Sequence, residues 1–224
     1  HPDLENPSNN TILIIDMSTN EVEATVLVGE VPFGVAVTLD GKKVYVTNID
    51  DKTVSVIDTA TNTVIATIPV GNNPRGVAIS PDGKRVYVAC DEGSNNGYIY
   101  VIDAVKNQVT ATVLVGEFPS EVAVTPDGKR VYVTNGLSNT ISVIDTATNK
   151  VTATIPAGNA PSGVAVTPDG KKAYVTNSGS NNVSVIDTST NKVTATMDVG
   201  RGPNSFGQFI GSFQAQKSKV RCKK

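Results

Sequence analysis

The chain has 224 residues, of which 39% are hydrophobic and 18% are charged, and its formal net charge is −2. This composition predicts one or two globular units with a sizeable core, and it excludes a disordered chain or a small disulfide-stapled scaffold. The segment from Lys217 to Lys224 carries five of the 19 basic residues, so the rest, with 14 basic and 21 acidic residues, has a net charge of −7. An acidic body argues against a nucleic-acid surface.

Histidine and cysteine usage restricts the chemistry further. His1 is the only histidine, and Cys90 and Cys222 are the only cysteines. Ser-His-Asp and Cys-His catalysis and multi-histidine metal sites all need an imidazole held inside the fold. Two distant cysteines predict neither a disulfide framework nor a metal cluster. No apolar run approaches the length of a membrane span. We therefore expect no enzyme activity, no metal, no cofactor and no membrane span.

An internal repeat organises the sequence. An element beginning with proline recurs at intervals of 42, 45, 42 and 42 residues, at Pro32, Pro74, Pro119, Pro161 and Pro203. Each unit contains four short runs rich in Val, Ile, Thr and Tyr, which is typical of β-strands, and no segment has a convincing helical period. The longer interval contains an insertion between the second and third runs, at 91–98.

The links between the runs are predicted to be tight hairpin turns. Ser80-Pro81-Asp82-Gly83 joins the first two strands of its unit, with proline at the start of the turn and glycine where φ is positive. Asp58-Thr59-Ala60-Thr61-Asn62 joins the third and fourth strands, with an aspartate that accepts local backbone N–H groups. Because these aspartates recur in every unit, we interpret them as scaffold residues.

Four antiparallel strands in each repeat predict an all-β fold, a β-propeller of four-stranded blades. Residues 10–28 supply the last two strands of a unit, and residues 202–211 begin a new first strand. Four complete blades plus one composite blade, closed by the two termini, would make a ring. The second strand of that blade would come from 213–220 or 1–6. The alternative is an open fragment of a larger propeller. We expect one propeller domain over 1–211 and a flexible basic tail over 212–224.

Three segments contain Tyr-Val-Thr-Asn, and each is followed by a variant of V-S-V-I-D-T-x-T-N. They are Val44–Asn48, Val131–Asn135 and Ala173–Asn177. Over roughly 11–211 the chain resembles the YVTN-family β-propeller repeat, which is abundant in surface-layer and other exported proteins of methanogenic archaea and in secreted bacterial proteins. The resemblance implies an extracellular or cell-surface protein, although family members usually have about seven blades. The chain departs from the motif at Cys90, which replaces its asparagine.

Function is expected where the repeats differ, since every blade needs the repeated residues. In propellers the loops between blades and the loops between second and third strands open on the same face. The ionic residues that vary there are predicted to form a binding rim at one channel mouth; they are Glu30, Arg75, Glu117, Glu121 and Arg201. Cys90 is interpreted as a small filler at a strand end. Asn9 and Asn182 begin glycosylation sequons.

Two hypotheses follow. The first is a non-catalytic, exported or cell-surface scaffold that recognises a protein or glycan partner through the variable loops, and that self-associates if the ring is open. The second is an enzyme or cofactor-carrying propeller that uses the channel mouth. The propeller lactonases imply a metal-dependent hydrolase in which Glu121, with Glu30 or Glu117, would hold calcium if their loops converge.

Overall fold

The computed structural model describes residues 10–93, 96–205 and 207, and within these ranges it contains β-strands and turns. A two-stranded hairpin comes first, formed by β1 (Thr11–Asp16) and β2 (Glu21–Leu27), and we call it the N-terminal hairpin. Four antiparallel four-stranded sheets follow. The all-β class and the four complete blades predicted from the repeat are confirmed.

Each blade uses four consecutive strands. Blade 1 contains β3 (Pro32–Val37), β4 (Lys43–Asn48), β5 (Thr53–Asp58) and β6 (Thr63–Pro69). Blade 2 contains β7 (Pro74–Ile79), β8 (Arg85–Asp91), β9 (Gly97–Asp103) and β10 (Gln108–Val115). Blade 3 contains β11 (Pro119–Val124), β12 (Arg130–Asn135), β13 (Thr140–Asp145) and β14 (Lys150–Pro156). Blade 4 contains β15 (Pro161–Val166), β16 (Lys172–Asn177), β17 (Asn182–Asp187) and β18 (Lys192–Asp198).

The turns have the roles that the sequence predicts. Asp58 Oδ1 accepts hydrogen bonds from the N–H groups of Ala60 and Thr61, both at 3.0 Å, and Asn62 has a φ of 54°. In the other turn, Asp82 accepts hydrogen bonds from Ser80 Oγ at 2.6 Å and from the backbone of Lys84 at 3.1 Å. The hydrogen bond from Ser80 is the main reason why the pKa of Asp82 is below its usual value. These carboxylates are therefore occupied in holding the turns.

The Tyr-Val-Thr-Asn motif joins strands and blades. Tyr45 is fully buried, and Thr47 Oγ1 accepts a hydrogen bond from Gly34 N at 2.8 Å and donates one to the Arg75 carbonyl in blade 2, also at 2.8 Å. Asn48 Nδ2 donates to Ser55 Oγ at 2.9 Å. In blade 4 the Asn177 amide donates a hydrogen bond to Asn182 Oδ1 at 2.8 Å. The side chain of Asn182, which begins the second glycosylation sequon, is therefore held by a hydrogen bond at the start of β17.

The first strands of successive blades are the innermost, because β3 lies beside β7, β7 beside β11 and β11 beside β15. Apolar clusters fill the three spaces between consecutive blades, and a smaller cluster joins the N-terminal hairpin to blade 1. Sheets whose two faces are buried by neighbouring blades in this way define a propeller arrangement.

The two ends of this series of sheets remain exposed. Ile15 in β1 is 52% exposed, whereas its counterpart Ile57 is 1% exposed. Every residue of β18 is also exposed. Residues 203–205 continue beside β15, where Ser162 Oγ donates a hydrogen bond to the Pro203 carbonyl at 3.3 Å. Beyond the four complete blades, the described residues form the two-stranded N-terminal hairpin and a segment without strand pairing beside β15. Both segments predicted to supply the second strand of the composite blade, and the tail at 212–224, lie outside the described residues.

No described segment forms a helix that is long and apolar enough to span a membrane.

Leu39 is expected to limit stability at the first turn of blade 1. It is 86% exposed and stands where the other blades have Pro81, Pro126 and Pro168. The same type of hydrogen bond closes both turns: Gly41 N donates to Thr38 O at 2.8 Å in blade 1, and Gly83 N donates to Ser80 O at 2.8 Å in blade 2. Leu39→Pro should raise the free energy of unfolding by about 0.4–1 kcal/mol, because proline restricts the unfolded chain. Chemical denaturation measures this change.

Pro126→Leu is the matched control, and it should lower the free energy of unfolding by a similar amount. Equal stability of the wild type and Leu39→Pro would show that the turn at residue 39 differs from the other three.

Candidate functional site at the channel mouth

A cavity of about 560 Å³ runs along the four inner strands. Valine, alanine and isoleucine side chains of β3, β7, β11 and β15 line most of it, together with Gly207. Such a lining offers apolar contact and few polar groups. We call the end where these four strands begin the proximal mouth, and the polar candidates lie there.

Loops of two kinds are joined at the proximal mouth. The loop before each inner strand donates a backbone N–H to a side chain of the loop between the second and third strands. The donor and acceptor pairs are Glu30 with Asp51 (2.9 Å), Asn72 with Glu92 (3.2 Å), Glu117 with Ser138 (2.6 Å) and Asn159 with Ser180 (2.6 Å). The two loop sets therefore share one face, as expected from the sequence.

The residue before each inner-strand proline has a positive φ. The angles are 54° at Val31, 44° at Asn73, 53° at Phe118, 49° at Ala160 and 60° at Gly202. For a β-branched residue such as Val31 this conformation is strained. It persists because the Val31 carbonyl accepts a hydrogen bond from Ile49 N at 3.0 Å. These turns set the direction in which the chain enters each inner strand.

Arg75 is held between two aromatic rings. Its guanidinium carbon is 5.3 Å from the centre of the Phe33 ring and 4.7 Å from the centre of the Phe118 ring, which are cation–π distances. The Nε atom is buried and has no hydrogen-bond partner. Among the described residues the only ion pair is Lys42 with Asp40, so Arg75 is not neutralised by a described carboxylate. The Arg75 guanidinium is thus fixed in position while the described residues accept no hydrogen bond from it.

Glu121 lies inside the structure, although it was predicted to be a member of the exposed rim. Its side chain is 3% exposed and accepts hydrogen bonds from Val122 N at 3.2 Å and Gly207 N at 3.4 Å. Gly76 makes room for it, since an added Cβ there would lie 2.7 Å from Glu121 Cα. Burial raises the pKa of the Glu121 carboxyl to about 7, and the hydrogen bonds oppose this shift only in part.

The other three rim candidates lie in separate loops. Glu30 and Arg201 are exposed, and Glu117 is half-buried. The structure assigns hydrogen bonds to the backbone N–H groups of Glu30 and Glu117, and no hydrogen bond joins the side chains of the five candidates. It therefore brings Arg75 and Glu121 to neighbouring inner strands and leaves the other three on separate loops.

The calcium site implied by the lactonases would need several oxygen ligands that converge. Within the described ranges no group of three or more His, Cys, Asp or Glu residues could hold a metal ion. Glu121 is buried on β11, whereas Glu30 is exposed in a different loop. The described carboxylates are therefore not gathered as that calcium site would require.

Blade 2 has its own polar network, which sequence reasoning missed. Tyr100 stands where blade 1 has Ser55, and its hydroxyl donates to Glu92 Oε1 at 2.9 Å. Asn72 Nδ2 donates to Glu92 Oε2 at 2.6 Å. Burial, followed by this hydrogen bond to Glu92, raises the pKa of Tyr100 to about 12. The available signal was the departure from the repeat at two positions, Cys90 and Tyr100, whose counterparts Asn48 and Ser55 are joined by a hydrogen bond in blade 1.

Cys90 is a structural thiol. It is fully buried, and burial raises its pKa to about 12. Because the thiolate is the reactive form of cysteine, such a group is not a nucleophile at neutral pH. This environment agrees with the interpretation of Cys90 as a filler at a strand end.

The radial blades, the inner strands around a channel and the variable loops at its mouth define the class of the protein, a β-propeller. The family model described as "YNCE-like beta-propeller" matches residues 81–209, which is more than half of the chain. The chain belongs to this family. A second model, "Lactonase, 7-bladed beta-propeller", matches residues 12–117.

Two solved structures resemble the chain. Hydrazine synthase from Kuenenia stuttgartiensis is 29% identical, with a TM-score of 0.69, and the match covers 74% of this chain and 48% of that one. A functionally unknown protein from Desulfotomaculum acetoxidans is 20% identical, with a TM-score of 0.76, over 87% of this chain and 64% of that one. The chain thus spans less than two thirds of either protein. No curated protein matches it.

Glu121 should make stability depend on pH near neutrality. Its pKa of about 7 in the folded protein exceeds the ordinary glutamate value of 4.5. The stability that comes from holding this proton is fully present below pH 4.5 and is lost as pH rises through 7. Compared with Glu121→Gln, the wild type should lose about 2–3 kcal/mol of unfolding free energy between about pH 5 and about pH 8. Urea denaturation at both pH values measures this loss.

Glu23→Gln, at an exposed position of β2, is the control and should behave like the wild type. A Glu121→Gln variant with an unchanged pH dependence would contradict the assignment of a raised pKa to Glu121.

Proposed function

We propose that the protein is a non-catalytic recognition scaffold of the exported or cell-surface type, which binds a protein or glycan partner at the proximal mouth. The observation that supports this most is Arg75, whose buried Nε lacks a partner while two rings fix the guanidinium. The extracellular location rests on the resemblance of the repeats to the YVTN type.

The chemistry of Arg75 indicates what such a partner presents. A guanidinium has a planar fork of N–H donors that matches the two oxygens of a carboxylate. Because Phe33 and Phe118 already restrict the side chain, little rotamer freedom is lost when the fork binds a ligand. The same position is Phe33, Ser120 or Ser162 in the other blades, so the scaffold does not require arginine here. We therefore propose a partner that inserts a carboxylate into the mouth.

Isothermal titration calorimetry with two acidic probes tests this proposal. The probes are tetragalacturonate, an acidic oligosaccharide, and a tetraglutamate peptide. The wild type should bind at least one of them, and Arg75→Ser should weaken that binding roughly tenfold or more, because a hydrogen bond to a charged group is lost. Serine is native at this position in blades 3 and 4, so the variant should fold.

Arg201→Ser removes an exposed arginine of the same face and serves as the matched control, with little expected effect on affinity. Maltotetraose, a neutral oligosaccharide, should not bind. The proposal fails if neither acidic probe binds the wild type, or if Arg75→Ser binds as tightly as the wild type does.

A second candidate function is the hydrolysis of a lactone. It is favoured by the match of residues 12–117 to the lactonase family model and by Glu121, a carboxyl with a pKa of about 7 beside the channel. A general base is most effective when its pKa is near the working pH. Glu121 would take a proton from water while the water oxygen attacks the lactone carbonyl. It would then return that proton to the ring oxygen as the ring C–O bond breaks, which gives a hydroxy acid.

An assay of lactone opening separates the two functions. With δ-gluconolactone and N-acyl homoserine lactones as substrates, an enzyme of this type would show activity that Glu121→Gln abolishes and that rises through pH 7. The recognition scaffold predicts rates equal to the spontaneous reaction for both proteins. Activity that survives in Glu121→Gln would contradict the role of Glu121 as base.

A further inference from the structure

Most of the basic residues lie at the end of the blades opposite to the proximal mouth. The inner strands begin at that mouth, so the turns that follow them, and the turns between third and fourth strands, lie at the opposite end, which we call the distal face. In and beside these turns the four complete blades carry 11 basic residues and eight aspartates, a formal charge of +3. Such a face attracts an acidic partner.

Consecutive turns after the inner strands touch each other, except between blades 1 and 2. Pro81 Cδ lies 3.5 Å from the position that a Cβ atom would take on Gly128, and the same contact joins blades 3 and 4 at 3.6 Å. Blade 1 has Leu39 in place of this proline. Apart from its chain neighbours, no described residue has an atom within 4 Å of the corresponding position on Gly83. The first turns of blades 1 and 2 are therefore separated by a gap.

A groove of about 540 Å³ occupies this gap. It lies between the turn at 38–43 of blade 1 and the turns at 80–85 and 103–107 of blade 2, and we call it the distal groove. Lys43, one of the residues that line it, donates a hydrogen bond from Nζ to the Ala104 carbonyl at 2.9 Å. The two blades are thus fixed relative to each other at the groove.

Three residues at the distal groove depart from the repeat. Leu39 replaces a proline, Val105 replaces an alanine or serine, and Lys106 replaces a threonine of the other complete blades. Leu39 and Val105 line the groove and are 86% and 80% exposed, and Lys106 is exposed next to Val105. The equivalent turn residues of the other complete blades are exposed as well, so exposure is a property of the turns. The fold therefore requires neither the apolar pair nor the additional lysine.

The three turns that border the distal groove are basic. They contain five basic and three acidic residues, namely Lys42, Lys43, Lys84, Arg85 and Lys106, with Asp40, Asp82 and Asp103. The aspartates accept hydrogen bonds within their own turns, as Asp103 Oδ1 does from the N–H groups of Val105 and Lys106, both at 2.9 Å. Lys42 is 80% exposed and meets Asp40 only at 3.8 Å, a weak pair in water. Within the described part of the chain, no hydrogen bond or ion pair is assigned to the ammonium groups of Lys84 and Lys106.

We propose that the distal groove binds a segment of a partner protein in which a large apolar side chain lies next to acidic residues. The apolar side chain enters the groove between Leu39 and Val105, and the neighbouring carboxylates face Lys42, Lys84 and Lys106. Burial of apolar surface supplies the affinity, and the charges orient the segment. A concave site with apolar walls suits an inserted side chain better than a flat lipid surface. The site does not use Arg75, so it is independent of the proposed recognition function.

Tryptophan fluorescence tests this proposal, because the chain contains no tryptophan. The probe is a short peptide with a central tryptophan between two runs of glutamate. It is titrated with the full chain carrying Arg75→Ser, which removes the carboxylate site proposed at the proximal mouth. The emission should shift to shorter wavelength as the indole leaves water. The same peptide with a central alanine should compete at least about tenfold more weakly, because it lacks the apolar side chain.

Each departure from the repeat is then restored to the residue of another blade, so the variants should fold. Leu39→Pro should weaken binding roughly tenfold, and Val105→Ala about threefold, because apolar contact is lost. Lys106→Thr should weaken it about threefold at low salt and not at high salt. The matched controls are Leu137→Gly, at a 68% exposed leucine of the proximal end, and Lys150→Thr, at another exposed lysine of the distal face; both should bind like the starting variant.

The assignment is wrong if the tryptophan peptide does not bind, if the alanine peptide competes equally well, or if Leu39→Pro leaves the affinity unchanged. Co-sedimentation with vesicles that contain phosphatidylglycerol should show no binding that depends on Leu39. Vesicle binding that Leu39→Pro abolishes would assign the groove to a lipid surface and overturn the proposal. Because the titrations are made without Arg75, their failure would leave the proposed recognition function standing.

Discussion

A blade of this protein cannot bury both of its apolar faces by itself, and the rest of the structure depends on that constraint. A four-stranded sheet that is apolar on both sides needs a neighbour on each side. Each blade has two different faces, and one face of a blade packs on the other face of the next blade. In this way Tyr45, Val54 and Ile68 of blade 1 pack against blade 2. The apolar clusters between consecutive blades are therefore the main sites where this surface is buried.

The same constraint separates scaffold from function. Residues that recur in every blade are occupied: the turn aspartates accept backbone N–H groups, the motif asparagines bridge strands, and the cation of the second strand holds the next blade. Residues that differ between blades are not needed for these repeated hydrogen bonds. Arg75 and Glu121 are of this kind, and both stand at the start of inner strands where other blades have serine or phenylalanine, and glycine. Such positions can acquire a binding role without loss of the fold.

Much of the fold could be predicted because its determinants are local and periodic. Proline and glycine set the turns, and alternation sets the strands, so four blades followed from one repeat. The position of Glu121 could not be predicted in this way, because its burial depends on the space left by Gly76 in another blade. Phe118 was missed for a similar reason, since its contact with Arg75 joins the loop before β11 to strand β7 of the preceding blade, and alternation along one strand does not predict such a contact. Closure of the ring depends on pairing between distant ends, about which a repeat carries no information.

The network of blade 2 also bears on how such a chain can change. Blade 2 has Cys90, Tyr100 and Glu92 at positions where the other complete blades have an asparagine, a serine and a short polar loop residue. The Tyr100 ring lies against Gly71, as the motif asparagines of the other blades lie against the equivalent glycines, and the longer Glu92 carboxylate accepts a hydrogen bond from the Tyr100 hydroxyl. Reverting one of the three alone would leave either a void or a clash. These positions are therefore expected to covary among homologous blades, and recombination between repeats would preserve the fold only when it transfers all three together.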